Sequence, residues 1–177
     1  MAYKEELIKA MDLLSNQDSS IFVGYNINYG SKIYGTMDNI PKEKKIEFPI
    51  AEDMQMGVSI GLSLEGYIPI SIYPRIDFLI IATNQLVNHL DKIEEMSCGQ
   101  FKPKVIIRTA IGSTKPLYPG LQHCSDYTMA LKHMLKNVDV IKLNNSKDII
   151  PAYKNALEET NNKSTLLIEV ADFYSNQ

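Results

Sequence analysis

The chain has 177 residues, a length that suits one globular unit with a sizeable core. Apolar residues make up 45% and charged residues 22%, with a formal net charge of −3, so neither nucleic acid nor an anionic membrane surface is the expected partner. Its two cysteines, Cys98 and Cys124, are too far apart for a metal-type pair and do not suggest a disulfide framework. The opening MAYKEELIKAMDLL carries acids within its apolar pattern and does not read as a signal peptide. No apolar run is long enough to span a bilayer. The expected location is the cytoplasm.

In chain order, residues 3–14 place Leu7, Met11 and Leu14 on one stripe, which predicts an amphipathic helix. Residues 19–24 (SSIFVG) predict a short buried strand. Residues 25–44 hold Gly30, Gly35, Asn39, Pro41 and several lysines, and predict a loop. Residues 45–48 predict a short strand. The run after Glu52 and Asp53 alternates: Met54, Met56, Val58, Ile60, Leu62 and Leu64 are separated by Gln55, Gly57, Ser59, Gly61 and Ser63. Alternation is a strand signal. Helical spacing fits the same residues, since Met54, Val58 and Leu62 recur every fourth position. Gly57 and Gly61 then share one side, against which another backbone can approach closely. Each interior glycine costs about 1 kcal/mol of helix propensity relative to alanine. That cost is intelligible where close packing is required, so the run is read as a buried helix, with Glu52 and Asp53 favoured by its amino-terminal dipole.

Residues 67–73 (YIPISIY) predict a strand. Pro74 suits the start of a helix whose pattern runs through Leu86, Leu90 and Ile93 to about Met96. Residues 103–109 (PKVIIRT) predict a strand, 110–122 a Gly/Pro-rich loop, and 125–135 a helix with Asp126 in its first turn. Strand 138–143, helix 147–159 and strand 165–170 complete the pattern. Strands alternating with helices predict an α/β fold, a mostly parallel sheet covered by helices on both faces. Sites in such folds lie beyond the carboxyl ends of the strands. The loops at 25–44, before Glu52, and at 110–124 are therefore the candidates.

Four stretches, PIAEDMQMGVSIGLSLEGYIPI, NQLVNHLDKIEEMSCGQ, PKVIIR and the loop ending GLQHCSD, occur in that order. Together they resemble the pyrimidine-binding domain of thiamine-diphosphate enzymes, most of all the beta subunit of 2-oxo acid dehydrogenase E1 components, then transketolase. The likeness covers about residues 20–170. The resemblance implies that Glu52 hydrogen-bonds N1′ of the cofactor's aminopyrimidine, that Phe78 packs against that ring together with Tyr73, and that His123 stands near the reacting substrate. Glu52 and His123 are thus the expected catalytic pair; Glu52, Phe78 and Tyr73 are the expected cofactor-binding residues. It further implies that Gly57 and Gly61 lie on a helix that crosses a symmetry mate. The glutamate's role needs a carboxyl that can hold and exchange a proton, which glutamine cannot do.

Departures qualify these expectations. E1 beta chains carry an acidic pair after their first strand, where this chain reads Gly24-Tyr25-Asn26-Ile27. A methionine common near the pyrimidine is replaced by Pro74. The expectation is a single pyrimidine-binding domain, residues 1–177, with no counterpart of the C-terminal transketolase domain or of the diphosphate-binding domain. No G-D-G motif is present. The expectation is therefore a stand-alone pyrimidine-binding subunit of a split enzyme. A second polypeptide would hold Mg²⁺ and the diphosphate, and an alpha2-beta2 assembly is implied. The reaction would break a C–C bond beside a carbonyl and transfer a ketol or acyl fragment, either transketolase-like or as E1-like oxo-acid decarboxylation. Polar residues in the loops (Asn26, Asn28, Ser31, Lys32, Ser113, Thr114, Lys115) favour a hydroxylated substrate. The rival reading is a non-catalytic regulatory or scaffold homologue. Of the other residues singled out, His89 and His133 read as ordinary helix residues, Asp126 as a helix charge, and Cys124 as a poor nucleophile, because adjacent side chains rarely face one another. Arg75 is open to two readings, an anionic substrate or a surface ion pair.

Overall fold

A computed structural model describes residues 2–115, 118–160 and 162–175. In chain order the elements are α1 (Tyr3–Ser15), β1 (Ser20–Gly24), α2 (Lys32–Gly35), β2 (Lys45–Glu47), α3 (Glu52–Leu64), β3 (Ile68–Tyr73), α4 (Ile76–Leu79), α5 (Ile93–Met96), β4 (Ile106–Ile111), α6 (Thr128–Met134), β5 (Asp139–Lys142), α7 (Ser146–Glu158) and β6 (Thr165–Val170). The six strands form one sheet in the order β2-β1-β3-β4-β6-β5, and every pairing is parallel. This is the predicted α/β architecture.

Alternation along the strands divides the core in two. On one face Phe22, Ile70, Ile72, Ile106 and Leu167 pack against α1 and α7 through Leu7, Met11, Leu14, Ile149 and Tyr153. On the other, Tyr73, Ile107, Leu166 and Ile168 pack against α3, the segment after β3, and α6. The first face also buries an ion pair. Arg108 of β4 donates from Nε and Nη2 to the Glu169 carboxylate of β6 at 2.7 and 3.0 Å. Tyr153 donates to the same carboxylate at 2.5 Å, and Tyr174 donates to it as well.

The alternating run is a helix, as its fourfold spacing predicts, but it is buried on one side only. Glu52, Gln55, Met56, Ser59 and Ile60 face the sheet. Ser59 donates to Gln55 O at 2.8 Å and its Oγ lies 3.0 Å from Ser71 Oγ, so polar side chains fill the seam with β3. Met54, Val58, Gly61 and Leu64 are exposed. Among the described residues no atom lies within 4 Å of a Cβ built at Gly61, so none of their backbone crosses there.

The predicted helix from Pro74 to Met96 is broken into pieces. After α4 comes a 3-10 turn (Ile80–Ala82), then a π-helical stretch (Gln85–Leu90), then α5. In the π geometry Asp91 N bonds to Leu86 O, five residues back, so Asp91 lies beneath Leu86 on the buried side. Its carboxylate accepts from the N–H groups of Lys136, Asn137 and Val138. α6 begins at Thr128, later than predicted, and Asp126 precedes it and accepts from Thr128 N at 3.0 Å. The predicted loop at 25–44 contains α2 and a 3-10 turn at Lys42–Lys44, and it buries Ile33 and Met37 against the α1 face.

Gly24 ends β1 where only a hydrogen fits: a Cβ would sit 2.7 Å from Ile72 O of β3. Gly24→Ala is expected to destabilise the chain by about 1–3 kcal/mol through this overpacking, read as a lower denaturant midpoint at unchanged slope.

Candidate functional site

Because all strands run the same way, the segments after β1, β3 and β4 gather at one edge of the sheet. Glu52, the first residue of α3, lies at this edge and is 3% exposed. Among the described residues no cation pairs with it. Its side chain has one hydrogen-bond partner among the described residues: the Tyr25 phenol donates to Oε1 at 2.8 Å. Burial first, then this bond, pushes the Tyr25 phenol well above its ordinary range, so it stays a proton donor.

Tyr25 is itself held firmly. The Glu47 carboxylate, at the end of β2, accepts from the N–H groups of Asn26, Ile27 and Asn28 at 2.7, 3.1 and 2.7 Å. Gly24 O accepts from Phe48 N at 2.7 Å. The loop in which the resemblance expects two acids is thus built on an acid from the neighbouring strand.

The aromatic groups follow in a row. The Tyr25 and Phe78 ring centroids are 6.4 Å apart, and those of Phe78 and His123 are 5.5 Å apart, edge to face. His123 Nδ1 is buried, with no hydrogen-bond partner among the described residues. Arg75 fixes this histidine's backbone: its Nη1 donates to Gly112 O at 2.5 Å and to His123 O at 2.9 Å, tying the two ends of the 112–123 loop together. Among the described residues Arg75 makes no ion pair. Asp172 anchors the same loop, accepting from Thr114 N and Oγ1 and from Lys115 N. Burial pushes the Asp172 carboxyl up, but these donors outweigh it and hold it below the usual range. Residues 116 and 117 of the predicted loop lie outside the described residues.

The structure therefore brings Glu52, Phe78 and His123 to one edge. Tyr73 differs: it is 1% exposed, and its hydroxyl lies 3.5 Å from the Glu52 carbonyl oxygen and accepts from Ser71 Oγ. It supports Glu52 from below. Sequence reasoning missed Tyr25 as a partner of Glu52, and also Glu47 and Asp172. Only contacts between distant segments reveal these roles. Cys98 and Cys124 are free thiols, and Cys124 Sγ lies 4.0 Å from Ser113 O. A cavity of about 230 Å³ lined by Leu90, Asp91, Lys102, Asn137 and Ser164 lies at the opposite, amino-terminal edge of the strands, and none of the predicted residues lines it. No group of three or more His, Cys, Asp or Glu side chains able to share a metal ion occurs among the described residues. No helix among them is long and apolar enough to cross a membrane.

No family model matches the chain. Curated relatives do. It is 32% identical over 124 residues to the pyruvate dehydrogenase E1 component subunit beta of Gracilaria tenuistipitata var. liui, covering 67% of this chain and 38% of the relative. The corresponding subunit of Cyanidium caldarium is 33% identical over 118 residues, 64% of this chain and 36% of the relative. The 2-oxoisovalerate dehydrogenase subunit beta of Bacillus subtilis (strain 168) is 26% identical over 117 residues, 63% of this chain and 36% of the relative. The chain thus spans little more than a third of the length of these relatives. Among solved structures, a split-gene transketolase, described as an inactive beta4 tetramer, superposes with a TM-score of 0.70 at 19% identity, covering 96% of this chain and 50% of that one. That likeness bears on the fold, and the relatives bear on the sequence. Both lead to the same domain, and this chain is a transketolase/E1 beta-like domain of the pyrimidine-binding type.

Proposed function

We propose that the chain is the pyrimidine-binding subunit of a split thiamine-diphosphate enzyme, which cleaves a C–C bond beside a carbonyl and transfers the ketol or acyl fragment. The observation that carries this reading is Glu52: a buried carboxyl, one oxygen engaged by Tyr25 and the other without a partner among the described residues, at the sheet edge beside Phe78 and His123. These residues fit the pyrimidine half of the cofactor. Glu52 offers a carboxyl oxygen for a ring nitrogen, Phe78 offers a ring edge or face, and the His123 imidazole beside Phe78 offers a polar group near the substrate. When bound, thiamine diphosphate supplies a nucleophilic C2 that adds to the substrate carbonyl. Glu52 holds the pyrimidine and exchanges a proton with its N1′. Arg75 and Asp172 keep the 112–123 loop, and with it His123, against Phe78.

The diphosphate and Mg²⁺ are assigned to a second polypeptide, in an alpha2-beta2 assembly. The exposed Met54, Val58 and Leu64, with open space at Gly61, support α3 as the surface that meets a second copy. Tyr25 and Asn26 in place of acids favour the rival reading of a non-catalytic scaffold. Material purified from the native source decides: bound thiamine diphosphate and a co-purifying chain support the enzyme. A chain that stays empty when a candidate partner is supplied overturns it.

A further inference from the structure

We propose that Tyr25 is a positioning residue that fixes the orientation of the Glu52 carboxyl, so that Oε2 alone faces the ligand. The inference rests on Glu52 being the ligand-binding carboxyl proposed above. A carboxyl has two equivalent oxygens, and its terminal torsion is broad when nothing holds it. Among the described residues only one group holds this one, the phenol O–H at 2.8 Å from Oε1. A donor on Oε1 leaves that oxygen as an acceptor in either protonation state of the acid. A neutral Glu52 then carries its proton on Oε2, since a proton on Oε1 would confront the phenol proton. One hydroxyl therefore decides which oxygen presents and where the acid proton sits.

The phenol is well suited to this task. It is a permanent donor, held protonated by burial and by Glu52 itself. Its position does not drift, because Glu47 ties down three successive backbone N–H groups directly after it and β1 pairs with β3 directly before it. It is 6% exposed, so water does not replace it readily. The ring also abuts Phe78, so one side chain sets both the carboxyl and part of the aromatic row.

Tyr25→Phe removes the hydroxyl and keeps the ring. Crystal structures of the ligand-free chain are expected to show the Glu52 carboxyl single and on the phenol in wild type, and rotated or split in Y25F, with the thermal midpoint and the Phe78–His123 contact retained. In the assembled complex, equilibrium affinity for thiamine diphosphate is expected to fall about tenfold, the effect of one buried hydrogen bond that preorganises its acceptor. A wild-type complex that binds no cofactor overturns the proposed function and leaves the structural comparison to decide the role of Tyr25. An unmoved carboxyl in Y25F, or unchanged affinity in a complex whose wild type binds, overturns the positioning role.

Discussion

Glu52→Gln is expected to lower turnover of the assembled enzyme by about 10²- to 10⁴-fold, the usual worth of a positioned proton-transfer group, with assembly and thermal midpoint unchanged. The substitution is nearly isosteric, and the amide oxygen still accepts from Tyr25, so the bond that holds Oε1 at 2.8 Å survives. The amide can still hydrogen-bond a ring nitrogen. It cannot exchange a proton with it. Affinity for the cofactor is therefore expected to change far less than turnover, and single-turnover kinetics beside equilibrium binding separate the two. A scaffold would show no such split. Turnover of E52Q within threefold of wild type, in a complex of unchanged composition, would remove Glu52 from the chemistry.

Breaking the buried ion pair on the other face of the sheet is expected to be the most damaging single change to stability. Arg108 and Glu169 are each 1% exposed, and the guanidinium grips the carboxylate through two hydrogen bonds. Burial by itself disfavours the charged guanidinium. The adjacent Glu169 carboxylate outweighs burial and keeps the guanidinium charged. Arg108→Met leaves a carboxylate deep in the core with the Tyr153 and Tyr174 phenols to solvate it, and a loss of about 3–5 kcal/mol is expected from the urea midpoint. Glu169→Leu strands the guanidinium at a similar cost. The double variant removes both ions and is expected to recover part of the loss. Recovery stays incomplete, because Tyr153 and Tyr174 both lose the acceptor they share in Glu169. Strict additivity of the single losses in the double variant would show that the pair is not coupled.

How far the sequence shows all this depends on the range of the interaction. Strands β1, β3 and β6 follow from their apolar runs, because a parallel sheet covered on both faces buries every residue of its central strands. The α3 run is read as a helix only when the cost of glycine is weighed against its alternating period. The break at Asp91 is not legible, since it depends on a carboxylate capping three N–H groups some 45 residues later, a distance of 45–47 positions in the chain. The site divides in the same way. Glu52, Phe78 and His123 are visible through motifs that lie within single segments. Tyr25 reads in the sequence as a missing acid, and only the fold shows its hydroxyl on Glu52, 27 residues away. Asp172 and Arg75 are ordinary charged residues until the 112–123 loop is folded between them.

The strand order has a consequence for how the molecule is made. β6 follows β5 in the chain, yet it lies between β4 and β5, and among the described residues β5 pairs with no other strand. During synthesis β5 therefore emerges without a neighbour, and β4 keeps an open edge until residues 165–170 arrive. An unpaired, apolar parallel edge is a template for wrong partners. A nascent chain stalled before residue 165 exposes that edge, and its Arg108 has no Glu169 to neutralise it. Quality control thus meets an unfinished chain that is sticky at β4 and β5, whichever of its earlier segments have already folded.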